Sequence, residues 1–313
     1  MVRRSKRSPS FWLYRGVLAV FLIACLLGLG IYFGNAHSGV TNTLTPNFES
    51  MDDIEQQAWK IAARVVGASR EGQERFVTEL FDLYYKVKDS DVVIFCIPGG
   101  WGKKPLDDNS QGRSWLVGIE AEMAKLGYKY CKVDDIRTGQ GLFDYLFELK
   151  EQLTHYPSKA RELAAKIDFL TQQVKGLKVV ITGQSNGAAF AGEVVSRLKD
   201  NPGVYSIQVG IPFWHRVARA SRSLVIDNNG IGADALTERD LLSLFKFNLV
   251  KIFVINNAPS FTPIDWVISR AILVFWPYNF GLGLQAPGHE YMWEYPGVGP
   301  VIERFLVNNF AKK

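Results

Sequence analysis

The chain has 313 residues, 47% of them apolar and 21% charged, which suits one large globular domain and excludes a disordered or low-complexity protein. Its formal charge of +5 is local, because Arg3, Arg4, Lys6, Arg7 and Arg15 fall in an acid-free amino end and the basic and acidic residues beyond them balance. A neutral body argues against a nucleic-acid surface.

The basic tail of residues 1–15 leads into a transmembrane or signal segment at 16–34. Gly16 to Phe33 carries no charge, and as a helix that run would reach about 27 Å, near the thickness of a bilayer core. Phe11, Trp12 and Tyr14 precede it, Tyr32 and Phe33 close it, and the positive charges lie on one side only. This pattern predicts a single-pass anchor with its amino end in the cytoplasm and the rest of the chain exported, periplasmic or extracellular. Two other readings stay open. Gly34-Asn35-Ala36 fits the end of a cleaved secretory signal, and Leu22-Ile23-Ala24-Cys25 has the form of a lipoprotein attachment sequence, although further apolar residues follow Cys25. Residues 35–50, rich in Asn, Ser, Thr, Gly and Pro, read as a tether.

The domain is expected over 51–313. Helical patterns at 51–66 and 70–87 carry apolar stripes (Ile54, Ala58, Ile61, Val65, then Phe76, Leu80, Leu83, Tyr84) suited to packing. Strands are then predicted at 91–97, 128–133, 177–182, 204–210, 250–256 and 280–286. Helices are predicted at 112–126, 141–153, 158–174, 188–199, 236–248, 263–275 and 298–310. Continuous apolar strands separated by helices imply an α/β fold with a mostly parallel sheet covered on both faces. Residues 211–248 are long for a strand-to-strand connection and are expected to include a helical cap. Cys96 and Cys131 fall in predicted strands and read as small core residues. No Cys-x-x-Cys or His-x-x-x-His spacing occurs, so no structural zinc is expected.

Two glycine-rich turns carry the chemistry. The run Leu177-Lys178-Val179-Val180-Ile181-Thr182 enters Gly183-Gln184-Ser185-Asn186-Gly187 and continues into Ala188-Ala189-Phe190-Ala191-Gly192. A Ser held at a tight strand-to-helix turn needs small neighbours, and the turn lifts its hydroxyl off the sheet beside the Asn186 amide and the helix N-terminus. Upstream, Asp91-Val92-Val93-Ile94-Phe95-Cys96-Ile97 enters Pro98-Gly99-Gly100-Trp101-Gly102, a loop whose amides can face a ligand. The next strand, ending at Val133, opens into Asp134-Asp135-Ile136-Arg137-Thr138-Gly139-Gln140-Gly141.

In this order the segments from 91 to 310 resemble the α/β-hydrolase superfamily of serine esterases and lipases, without marking a subfamily. The antiparallel strands that commonly start that fold are not evident. The resemblance implies Ser185 as nucleophile, an oxyanion hole from the amides of Asn186 with Gly100 or Trp101, and a base after the last strand. His289, in Gln285-Ala286-Pro287-Gly288-His289-Glu290-Tyr291, fits that base better than His37, His155 or His215. For the acid two candidates stand: Asp265, which also fits a helix capping box after Thr262-Pro263, and Asp227, which closes Ser223-Leu224-Val225-Ile226. The implied activity is hydrolysis of a carboxylic ester, the substrate being a small molecule or a lipid, and the resemblance implies no metal or organic cofactor. The apolar helix from Trp266 to Trp276 is either packed beneath the cap or a wall for an acyl chain or bilayer. Two rivals remain, a non-catalytic scaffold that kept the fold and an SGNH-type acetylesterase. The second lacks support because Ala286 stands where that family needs Asp.

Overall fold

A computed structural model describes residues 52–139, 141–215, 220–244, 246 and 286–311. Two amphipathic helices, α1 (Asp53–Val66) and α2 (Arg70–Val87), open the described chain. Asp52 Oδ1 accepts from the Glu55 amide at 2.7 Å and Ser69 Oγ from the Gly72 amide at 3.2 Å, so each helix starts on a side-chain cap. The sheet follows, built from β1 (Val92–Ile97), β2 (Tyr130–Asp134), β3 (Lys178–Gln184), β4 (Val204–Val209) and β5 (Ser223–Ile226). Its order is β2-β1-β3-β4-β5 with every described pairing parallel. Helices α3 (Ser110–Lys125), α4 (Leu142–Leu153), α5 (Lys159–Gln173) and α6 (Asn186–Arg197) connect the strands, and α7 (Gly299–Phe310) closes the described chain.

Alternation along the strands divides the core in two. Val93, Phe95, Ile97, Val179 and Ile181 pack with Ala62 of α1, Ile167 of α5 and Phe190 of α6. Val92, Ile94, Cys96 and Val180 pack on the other face with Trp115 and Ile119 of α3 and Ile302 and Leu306 of α7. A sheet buried on both faces cannot show polar alternation, which is why its strands read as apolar runs.

The predicted strands at 91–97, 128–133, 177–182 and 204–210 correspond to β1 to β4 within two residues at each end. Within residues 211–248, where a cap is expected, 223–226 form β5, hydrogen-bonded along β4. Within the helix predicted at 236–248, residues 241–244 are helical while 236–239 form turns. Cys131 is only half-buried, because β2 is an edge strand. The segments 16–34, 250–256, 263–275 and 280–285 lie outside the described residues. Among the described residues no helix is long and apolar enough to cross a membrane.

The strand order places the site. From β1 the chain crosses to β2 on one side, and from β3 it crosses to β4 on the other, so the connections that leave the carboxyl ends of these two neighbours part in opposite directions and leave a crevice. The loop 98–102 and the turn at Ser185 both open onto it. The turn is tight. A Cβ at Gly183 would lie 2.5 Å from the Gly187 carbonyl oxygen, and a Cβ at Gly187 would lie 2.5 Å from the carbonyl oxygens of both Ile97 and Pro98. These obstacles are backbone atoms that cannot swing aside. Gly187→Ala is therefore expected to cost at least about 2 kcal/mol in unfolding free energy by urea denaturation. A midpoint equal to that of the unmodified chain would contradict this close approach.

Candidate active site

Ser185 occupies the turn between β3 and α6 with φ 55° and ψ −125°, a left-handed backbone conformation that side chains other than glycine rarely adopt. Such strain costs on the order of 1–3 kcal/mol and persists only where the surroundings enforce it. Here they do, since the Ser185 amide donates to the Val209 carbonyl at 2.9 Å and the Ser185 carbonyl accepts from the Ala189 amide at 3.1 Å. Ser185 is half-buried and lines a cleft of about 850 Å³ together with Gly99, Gly100, Trp101 and His289. At the first turn of α6 the Asn186 amide has no intrahelical acceptor, so it is available to a negative charge beside Ser185.

His289 sits in the loop before α7, as the sequence predicts. Its ring lies against the end of β4: a Cβ at Gly210 would come 2.8 Å from His289 Cε1, one residue beyond the Val209 carbonyl that holds Ser185. His289 Nδ1 is 2.7 Å from Asp234 Oδ2. A carboxylate only accepts, so in the neutral ring Nδ1 carries the proton and Nε2 presents a lone pair. That Nε2 is buried and has no hydrogen-bond partner among the described residues. It is the atom that a general base would use.

The acid expectation is corrected. Asp227 does close a sheet strand, but the carboxylate on His289 belongs to Asp234, seven residues further on. Asp265 lies outside the described residues. The reason lies in the turn that follows β5. Asn229 donates from Nδ2 to the carbonyls of Gly288 at 3.0 Å and Glu290 at 2.7 Å, clamping the backbone on both sides of His289, while its Oδ1 accepts from the amides of Ile231 and Gly232. The turn thus carries Asp234, not Asp227, under the imidazole. Asp234 is fully buried, and its Oδ1 accepts from the Leu236 amide at 2.8 Å. Its Oδ2 also accepts from the Tyr291 hydroxyl at 2.6 Å. The readable signal is this local cap, an Asp two residues before the predicted helix start at 236.

Burial disfavours the Asp234 carboxylate, but the bonds and charge of His289, the Tyr291 hydroxyl and the Leu236 amide outweigh it and hold the carboxyl below its ordinary 3.8. Burial, followed by the bond to Asp234, pushes the Tyr291 phenol far up, so it remains a donor. His155 and His215 serve a different place: His215 stacks on Tyr156 and its Nε2 is 3.1 Å from Asn186 Oδ1. Burial, then the neighbouring His155 and Arg137, lower its pKa to about 4. Among the described residues no group of His, Cys, Asp and Glu is arranged to hold a metal ion.

With solved structures, the chain is similar to Trichoderma reesei cutinase in complex with a C11Y4 phosphonate inhibitor, at 13% identity and a TM-score of 0.31, over 68% of this chain and 86% of that one. No protein-family model matches the chain, and no curated protein matches it. The class the structure defines is an α/β fold in which a parallel sheet is flanked by helices.

Tyr291→Phe removes one donor from a buried carboxylate and is expected to cost about 2 kcal/mol near neutral pH. Because the folded-state pKa of Asp234 is depressed, this stabilisation is full above pH 3.8 and is lost as pH falls through the folded value. Unfolding free energies of the two proteins should therefore converge on acidification below about pH 4. A gap that widens there would contradict the assignment.

Proposed function

We propose that the chain is a serine hydrolase that cleaves carboxylic esters through an acyl-enzyme. Ser185 Oγ attacks the ester carbonyl carbon while His289 Nε2 takes its proton, and the imidazolium then returns that proton to the departing alcohol oxygen. Water repeats the sequence on the acyl-enzyme, releasing the acid and restoring Ser185. Asp234 holds the ring by Nδ1 and stabilises its charge, with Tyr291 supporting Asp234. The amides of Asn186 and of Gly100 or Trp101 face the oxygen that becomes negative.

The observation that carries this reading is the single chain of contacts from buried Asp234 to His289, whose other ring nitrogen is unbonded among the described residues, in a cleft shared with a strained Ser185. A scaffold that had lost catalysis has no reason to keep a serine in a costly conformation beside an oriented imidazole. The chemistry requires no cofactor. A fluorophosphonate probe should label the purified full-length chain and hydrolysis of p-nitrophenyl butyrate should be detectable. Ser185→Ala should abolish both, and Asp234→Asn should lower kcat by about 10⁴-fold through the wrong imidazole tautomer. Labelling that survives Ser185→Ala, or an Asp234→Asn variant of full activity, would refute the reading.

We propose further that residues 16–34 anchor the domain in a membrane. The support is the sequence itself: an uncharged run long enough to span, flanking aromatics and positive charge on one side. The full-length chain should stay in the membrane pellet after an alkaline wash. Recovery in the supernatant, or an amino terminus beginning near Ala36, would contradict a retained anchor.

A further inference from the structure

The loop 98–102 that borders the cleft is held from behind by an ion cluster that the hydrolytic steps do not use. Arg137 and Glu148 are among the most deeply buried charges described, with 1% and 0% of their side chains exposed. Arg137 Nε donates to Glu148 Oε1 at 3.2 Å, and Lys159 Nζ reaches Glu148 Oε2 at 2.6 Å. The guanidinium lies against the rings of Phe190 and Tyr156. Such a cluster is weak evidence for stability, because desolvating the charges offsets most of their attraction. Its outward contacts are more informative. Arg137 Nη1 donates to the Pro98 carbonyl at 2.8 Å and Nη2 to the Gly100 carbonyl at 3.4 Å. Gln152 Nε2, itself bonded to Glu148, donates to the same Gly100 oxygen at 3.3 Å, and Asn186 Nδ2 does so at 3.3 Å. The three bonds onto the Gly100 oxygen are long, so the hold comes from three donors converging on one oxygen. Thr138 Oγ1 engages the next carbonyl, that of Trp101, and the amides of Arg137 and Thr138 engage that of Gly102.

In a trans peptide the C=O and N–H point in opposite directions. A Gly100 carbonyl drawn toward Gln152 and Asn186 turns the Trp101 amide the other way, and Trp101 borders the same cleft as Ser185. Resting on the hydrolase reading above, we propose that Arg137, Gln152 and the Asn186 side chain are positioning residues that aim the Trp101 N–H at the oxyanion. The second amide of the oxyanion hole is thereby assigned to Trp101 instead of Gly100.

Removing Arg137 outright would leave Glu148 an uncompensated buried charge, so the test uses Gln152→Met, at a half-buried position, and Arg137→Lys, which keeps the charge and loses the fork. The readouts are kcat and KM on p-nitrophenyl butyrate and the Ki of an alkyl trifluoromethyl ketone, which forms a tetrahedral adduct with an activated serine. Each variant is expected to lose about ten- to a hundredfold in kcat with KM unchanged, and to lose ketone affinity in the same proportion. A purely structural role would lower the melting temperature without this parallel. Should Arg137→Lys fail to fold, Gln152→Met alone decides. Normal kcat and Ki in Gln152→Met, with an active unmodified protein, would overturn the positioning role and leave the hydrolase reading standing. An unmodified protein that neither hydrolyses the ester nor reacts with a fluorophosphonate would overturn both.

Discussion

Everything at the site depends on how closely the backbone turning from β3 into α6 approaches the end of β1. The carbonyl oxygens of Ile97 and Pro98 lie where a Cβ of Gly187 would stand, and the Gly187 carbonyl lies where a Cβ of Gly183 would stand. The order β2-β1-β3-β4-β5 sends the onward connections of these two neighbouring strands in opposite directions, which leaves a crevice beside that contact. The same constraint fixes the strained backbone of Ser185 and sets the loop 98–102 against it. The proposed chemistry at this place is thus a consequence of topology before it is a consequence of side chains.

Around that backbone contact the side chains fall into two supporting groups on opposite flanks. On one, Asn229 clamps the chain on either side of His289 while Asp234, held by Tyr291 and the Leu236 amide, fixes the ring through Nδ1. On the other, Arg137, Gln152 and Asn186 converge on the Gly100 carbonyl, and His215 and Tyr156 steady Asn186 from behind. In the proposed mechanism the first group governs where a proton goes, and the second governs where an amide points. Asp234 in the first group is fully buried, so its hydrogen bonds act where water competes little, whereas the bonds of Gln152 and Asn186 onto the Gly100 carbonyl lie at the surface.

What could be read from the sequence follows the range of the physics involved. The strands β1 to β4 are legible because burial on both sheet faces writes an apolar run into consecutive residues, and Ser185 is legible because its turn needs glycine at fixed local positions. His289 is legible by scarcity and by its place before the last helix. Asp234 is not legible in the same way. Its partnership with His289 is set by the path of the Asn228-Asn229-Gly230 turn across the end of the sheet, and the sequence offers a more conspicuous acid at the strand end, Asp227. β5 is short and mostly half-buried, so its composition does not separate it from a connection. The part proposed for Arg137 is equally hidden, because its contacts run to backbone carbonyls far away in the chain, which carry no residue-type signal.

The most direct test of the account is a crystal structure of the protein after phosphonylation by an alkyl phosphonate ester. The adduct should sit on Ser185 Oγ, with its phosphoryl oxygen about 2.7–3.1 Å from the backbone nitrogens of both Asn186 and Trp101, and with His289 Nε2 facing the remaining ester oxygen. An adduct on another residue, or a phosphoryl oxygen turned to solvent with neither amide within reach, would contradict the claim that the ends of β1 and β3 converge to build a catalytic site.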